Sequence, residues 1–287
     1  MRSVYPVLVV IAGIVAVWYA AAIWMNTTWT LQQAERAETQ LSVAQVVAGS
    51  FGQERPRLPM PDQVVAELWE TTVERKVTSK RSLIFHAGIT LSATLAGFAI
   101  GAGLGILLAV GIVHSRVMDM SVMPWAIASQ TIPILAIAPM IIVVLNSVGV
   151  QGLLPKAVIS AYLSFFPVVV GMVKGLRSPD AMQLDLLKTY SANRAQGFWK
   201  LRLPASLPYL FASLKIGVAA SLVGAIVAEL PTGAVRGLGA RMLTGSYYGQ
   251  TIQIWSALFM AAIVAAFLVG LIGVLQRASL ARMGMVR

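Results

Sequence analysis

Two histidines, His86 and His114, are the first candidates for chemistry in this sequence of 287 residues. They bracket one apolar run, and about 28 helical residues at roughly 1.5 Å each set them about 40 Å apart, too far to share a metal. The chain has no cysteine, which excludes disulfides, thiolate zinc sites, iron–sulfur clusters and covalent c-type haem. It lacks a GxxxxGK(S/T) phosphate loop, an HExxH pair and a GxSxG elbow, and no two carboxylates fall close together within an apolar run. Neither a nucleophile with its base nor a cofactor or metal site can be assembled. A protein that is not an enzyme is expected.

Four polar residues inside apolar runs remain. Glu229 is the only acid in such a run, and a carboxylate inside a membrane is a functional candidate by default. It either contacts solute or an outer gate, or sits at the interface and reaches water or Arg236. Lys215, about 14 residues and roughly 20 Å away along the same helix, is not its partner. Gln130, Thr131 and Asn146 share a run with Pro133 and Pro139. Prolines there leave backbone carbonyls needing other partners, as in helices that line a pathway, although a purely structural kink fits equally.

The elements that position these residues follow from composition. Hydrophobic residues make up 57% and charged residues 11%, with a mean hydropathy of +0.77; soluble domains carry about 25% charged residues. Spans of about 20 apolar residues cross a bilayer core of roughly 30 Å. Six are drawn at 4–25, 87–113, 121–147, 156–176, 207–230 and 252–276. The expected fold class is an all-α membrane protein with about six transmembrane helices. Its parts read as an N-terminal anchor at 1–25, an external segment at 26–86, a core at 87–276 and a basic cytoplasmic tail at 277–287. Ala20 and Ala22 offer a small-x-small cleavage site, but the apolar run continues through Ile23, Trp24 and Met25, longer than a signal core, and an uncleaved anchor is expected.

The net charge of +11 has a topological reading, because Lys and Arg accumulate on cytoplasmic flanks. With both termini inside, Arg2, Arg116, Lys174, Arg177, Lys188, Arg194, Lys200, Arg202, Arg277, Arg282 and Arg287 all lie inside, accompanied by Asp119, Asp180 and Asp185. Lys80 and Arg81, beside the second span, run against this orientation. Bases scattered at membrane edges, without zinc-finger spacing or an RNA-binding aromatic motif, exclude nucleic acid as the partner. Gly97, Gly101 and Gly105 recur on one face, the small-xxx-small pattern of close helix approach. In the external segment, Pro61 and Asp62 open an amphipathic helix with Val65, Leu68, Trp69, Thr72 and Val73 on one face. That face rests either on the outer membrane surface or on neighbouring spans.

Between the fourth and fifth spans runs RSPDAMQLDLLKTYSANRAQGFWKLRLPAS, residues 177–206. Ser178 before Pro179 suits a helix cap, and Met182, Leu186 and Thr189 turn one way. A break follows near 191–193. A second short turn presents Phe198, Trp199 and Leu201 among Arg194, Lys200 and Arg202, and ends at Leu203-Pro204. Apolar anchors on such a helix-break-helix suit a groove on a partner.

This segment resembles the cytoplasmic signature of ATP-binding cassette importer permeases: Glu-Ala-Ala, three residues, Gly, nine residues, Ile, one residue, Leu-Pro. Asp185, Leu186 and Leu187 stand at the Glu-Ala-Ala positions, Ser191 at the Gly, Leu201 at the Ile, and Leu203 and Pro204 at the Leu-Pro. The spacing fits throughout; Asp185 and Leu201 are conservative replacements and Ser191 departs from the pattern. TIPILAIAPM at 131–140, SFFPVVVGMVKGLRS at 164–178, RLPASLPYLFASLKIG at 202–217, and GAIVAEL followed by RGLG up to Gly239 look like the nitrate/sulfonate/taurine branch. The resemblance covers about 88–276 in order, and the first span and external segment only loosely.

The resemblance implies a type I ABC importer transmembrane-domain fold. Two permease subunits, as a homodimer, would enclose a pathway in the bilayer of the bacterial inner membrane. Two cytoplasmic ATPase subunits would drive it, and an extracytoplasmic substrate-binding protein would deliver the solute. Asp185, Leu186, Leu187, Ser191, Ala192, Leu201, Leu203 and Pro204 would form the ATPase-coupling loop, with Pro204 and Pro208 setting its turn into the fifth span. Branch members carry nitrate, bicarbonate, alkanesulfonates or taurine, and related permeases carry pyrimidine precursors or flavins; TIPILAIAP and LPTGAVRGLGARMLTGSYYGQT look closer to the latter. Tyr247 and Tyr248 either stack on a ring or anchor at the interface, and Arg236 and Arg241 could attract an anion. A secondary transporter or channel working without ATP is the alternative.

Overall fold

The computed structural model describes residues 4–36, 42–231 and 236–284, all helix or connection, with no strand among the described residues. Arg2 and Arg287, counted above among the inner flanks, lie outside this set, as do residues 232–235 of the stretch joining the last two spans. The chain divides into two compact units, Met1–His86 with Ala240–Met260, and Ala87–Gly239 with Ala261–Arg287.

In the first unit, α1 (Val4–Arg36) does not stop at Met25. It continues through Asn26, a fully buried residue whose amide donates to Leu58 O at 2.9 Å and whose Oδ1 accepts from Arg57 N and Leu58 N at 3.0 and 3.3 Å. Trp18 Nε1 reaches Pro59 O at 2.9 Å. A polar residue just beyond an apolar run thus fixes a loop instead of ending the helix. Next come α2 (Val43–Phe51) and α3 (Pro61–Trp69), which runs on as a π turn over Glu70–Glu74. Val64 and Thr71 turn inward, while Val65, Trp69 and Val73, at i, i+4 and i+8, are exposed. Of the apolar face expected on this helix, Val65, Trp69 and Val73 are thus exposed, while Leu68 and Thr72 are half-buried.

The second unit holds most of α4 (Leu83–His114), then α5 (Arg116–Ser129), α6 (Ile134–Ser147) and α7 (Leu153–Leu176). A single third span is not found. Instead α5 and α6, each of 14 residues, meet at a bend of 100°. Pro133 explains the break, since it disfavours helical backbone before it and cannot donate an amide hydrogen within a helix. At about 21 Å each, neither half spans a core of roughly 30 Å. Five helices are long and apolar enough to cross a membrane, and the bent pair makes a sixth if counted as one span.

Small residues bring α7 against α4 and against α10 (Leu203–Glu229). A Cβ on Gly97, Gly101 or Gly105 would fall 2.7–2.8 Å from the carbonyl oxygens of Ala157, Ala161 and Phe165. One on Gly224 would fall 2.8 Å from Ser160 Cα. Such backbone approach is the gain of the small-xxx-small face, and hydroxyls seal it. Ser160 Oγ lies 2.8 Å from Ser221 Oγ, which donates to Thr94 O at 2.8 Å. Toward the other end of α7, Phe165, Val169, Met172, Val173 and Leu176 form a core with Ala109, Ile112 and Ala126.

Candidate functional site

The segment after α7 builds the candidate site. Ser178 does not cap the next helix: its hydroxyl turns back and donates to Gly175 O at 2.7 Å, closing α7. The cap of α8 (Ala181–Thr189) is Asp180, whose amide donates to Gln183 Oε1 at 3.2 Å. Proline after Ser178 holds that residue out of helical backbone, which moves the start two residues on. Nearby, Arg177 Nη2 pairs with Asp119 Oδ2 at 2.8 Å, tying the end of α7 to the start of α5.

Helix α8 has two different faces. Met182, Leu186 and Tyr190 are 80, 57 and 78% exposed and form one stripe at i, i+4 and i+8. Tyr190 extends the stripe; Thr189, expected there, is also exposed, with its hydroxyl bonded to Leu186 O at 2.7 Å. On the other face, Leu184 and Leu187 join Val113, His114, Ala192 and Arg202 around a cleft of about 420 Å³. Asp185 pairs with Lys188 at 2.8 Å in solvent, a contact of little energetic weight.

The break after α8 is a Schellman turn: Ser191 N donates to Lys188 O at 2.8 Å and Ala192 N to Leu187 O at 3.0 Å. Ser191 holds φ at +52° to make it, the conformation for which glycine is suited. Asn193 then caps α9 (Arg194–Gly197), accepting from Gln196 N at 2.8 Å. The expected short turn ending at Leu203-Pro204 is not separate. A π turn over Phe198–Arg202 runs into α10, giving a continuous run Arg194–Glu229 of 36 residues. Leu203 N bonds Phe198 O in the wider π pattern just before Pro204, which supplies no amide hydrogen. Leu201, Leu203 and Pro204 are half-buried, and Phe198 and Leu203 pack on the α4–α5–α7 core.

The pathway candidates lie at separate places. Gln130 and Thr131 form the α5–α6 break, with Thr131 Oγ1 donating to Ala128 O at 2.7 Å. Asn146 stands at the other end of α6, about 18 Å along it. Glu229 is fully buried, with no access to water. Its carboxylate receives Gly239 N at 2.9 Å, has both oxygens 3.0 Å from Thr90 Oγ1, and lies 3.6 Å from Lys156 Nζ. Thr90 Oγ1 in turn accepts from Leu238 N at 2.9 Å. A side chain on Gly237, where φ is +124°, would strike the carboxylate. The glycines of RGLG are thus the space that the buried acid requires. Sequence reasoning missed Lys156 and Thr90, which belong to helices read only for their apolar runs.

In the first unit Arg241, on α11 (Leu238–Tyr247), faces Glu67 at 3.9 Å. Burial pushes the Glu67 carboxyl up from its usual range despite Arg241, and lowers Arg241 despite Glu67, so desolvation outweighs attraction in this pair. Arg241 as an anion-attracting residue is therefore already faced by a carboxylate.

Five helices of membrane-spanning length, with a short helix that carries an exposed apolar stripe, describe a multi-pass membrane protein. The chain belongs to the family of binding-protein-dependent transport system inner membrane components, whose pattern matches residues 101–285. It is 31% identical to the riboflavin transport system permease protein RibX of Chloroflexus aurantiacus over 77% of this chain and 78% of the relative. It is 33% identical to the formylaminopyrimidine transport permease protein ThiX of Halalkalibacterium halodurans, over 65% and 71%. With the nitrate import permease protein NrtB of Leptolyngbya laminosa it shares 24% over 74% and 76%. The chain is a permease of an ATP-binding cassette importer in the inner membrane, with the all-α transmembrane-domain fold of that family. Family membership implies ATPase and binding-protein partners in general terms.

Proposed function

We propose that α8 is the coupling helix and that the stripe Met182–Leu186–Tyr190 seats in a cleft of the cytoplasmic ATPase. The observation carrying this is an apolar stripe left exposed on a helix whose opposite face is turned to the transmembrane core. Asp185, Leu187, Ser191 and Ala192 set the angle of α8, and Leu201, Leu203 and Pro204 join it rigidly to α10. Motion of the ATPases on ATP binding passes through this joint to α10, and the permease alternates between inward-open and outward-open states. ATP hydrolysis belongs to the partner, and ATP must bind one state more tightly to shift the equilibrium.

The wider assembly in this reading is a homodimer of permeases with both termini cytoplasmic, an uncleaved anchor at 1–25, an external segment at 26–86, a permease core at 87–276 and a tail at 277–287. Gln130, Thr131 and Asn146 line the pathway, and Glu229 holds the outer end of α10 beside it. The substrate is a flat nitrogen heterocycle of the flavin or pyrimidine class. The names of relatives at 31 and 33% identity support that choice over an inorganic anion, whose relative stands at 24%.

Burying one leucine contributes about 1.5–3 kcal/mol, so Leu186→Asp, at an exposed position, weakens docking by about tenfold or more without disturbing the core. ATPase retention by a tagged permease reads the effect, with Leu187→Asp and Ala192→Glu as companions. Retention and uptake equal to wild type in all three would refute docking at α8. Mass-spectrometric identification of the solute on the cognate binding protein tests the substrate class.

A further inference from the structure

One groove in the second unit takes no part in docking. It lies between α10 and α12 (Thr251–Arg282), has a volume of about 440 Å³, and is lined by Lys215, Gly270, Gly273, Gln276, Arg277 and Leu280 among others. Lys215 reaches across to α12, where a Cβ on Gly273 would lie 3.7 Å from its Cε and Nζ. A Cβ on Gly270 would meet nothing within 4 Å, so that wall is open. Arg277 stands four residues past Gly273, about 6 Å nearer the end of α12. The ion pairs among the described residues use Arg75, Lys156, Arg177, Lys188 and Arg241, and neither Lys215 nor Arg277.

Lys215 inside one span and Arg277 near the C-terminal end of another, neither ion-paired with a carboxylate among the described residues, suit an outside anion at the membrane edge, because a lysine in an apolar slab is costly unless paired or drawn to the interface. The face onto which the groove opens says which anion. Ile263, Phe267, Gly270, Val274 and Arg277 follow one another at helical spacing, and all are exposed. On α10, Ile216 beside Lys215 is exposed as well. This is an apolar surface of the kind that lipid covers, not the wall of an aqueous channel. We propose that the groove binds the phosphodiester headgroup of an anionic phospholipid from the leaflet at the C-terminal end of α12. Lys215 and Arg277 contact the phosphate, Gln276 donates a hydrogen bond to it, and the floor at Gly270 and Gly273 seats an acyl chain. Basic pockets between spanning helices recognise anionic headgroups in this way.

The test offers the full chain in detergent an equimolar mixture of phosphatidylglycerol and phosphatidylcholine and counts retained lipid by native mass spectrometry. Phosphatidylglycerol is retained in preference. Lys215→Gln and Arg277→Gln each weaken retention about fivefold, and the pair together about 25-fold, while Lys215→Arg keeps it. Gly270→Leu retains both cations but fills the acyl seat, and it also loses the lipid; thermal transitions equal to wild type certify the fold of each variant. Equal retention of both lipids by wild type, or undiminished phosphatidylglycerol on the double variant, overturns the proposal. So does displacement by millimolar sulfate, which makes the groove a solute site, or a carbodiimide cross-link from Lys215 to a second copy, which makes it a subunit contact.

Discussion

Ser191 is the only non-glycine residue with positive φ among the described residues, at +52°, and it stands where the family signature has glycine. The left-handed conformation costs an ordinary residue about 1–2 kcal/mol, and serine repays part of this through a stiffer unfolded chain. Ser191→Gly therefore stabilises the Schellman turn by about 0.5–1 kcal/mol net. The measurement is amide exchange at Ala192, whose hydrogen bond to Leu187 O at 3.0 Å closes the turn. Protection should rise about two- to fivefold, with uptake close to wild type because the stripe on α8 is unmoved. A fall in protection would mean that the serine hydroxyl, not backbone geometry, holds the break.

The Glu229 cluster is an affair of elements, because α4, α7, α10 and the start of α11 each supply one of its parts. Lys156→Met leaves a carboxylate buried without its counter-charge, a change that costs about 3–5 kcal/mol. Adding Glu229→Gln removes the charge while keeping an acceptor for Gly239 N, so the double variant should recover much of the lost thermal stability. If the two losses simply add, the pair at 3.6 Å carries no interaction energy. The acid itself was legible in the sequence as the one carboxylate in an apolar run. Its partners were not, since Thr90 lies 139 residues away and no local pattern encodes such a meeting. The apolar runs gave α4, α7 and α12 to within a few residues at most ends. They failed where another rule overrode them: at Pro133, which splits the third run, at Asn26, which carries α1 onward, and at the π turn that merges the loop with α10. The spacing of the docking segment was readable, whereas the exposed Tyr190 emerged only when the helix register was fixed.

At the scale of the whole molecule, the family implies ATPase and binding-protein partners in general terms, and the proposed function makes this chain the link between a motor on one side of the membrane and a solute carrier on the other. In the coupling reading, α10 joins those ends, running from the docking joint to Glu229 as part of a continuous helix of 36 residues. Linkage then imposes a symmetry that can be measured. If a non-hydrolysable ATP analogue changes the affinity of the complex for its binding protein by some factor, binding protein must change affinity for the analogue by the same factor. In a reconstituted complex, Leu186→Asp should bring both factors down together toward one, at protein concentrations high enough to keep the weakened ATPase bound. Intrinsic binding at each end should stay as in wild type, because the proposed role of the stripe is to seat α8 in the ATPase and not to contact either ligand. A variant that lost one factor and kept the other would place the coupling somewhere other than α8. Uptake that ran on an ion gradient after ATP was removed would return the protein to the class of secondary transporters.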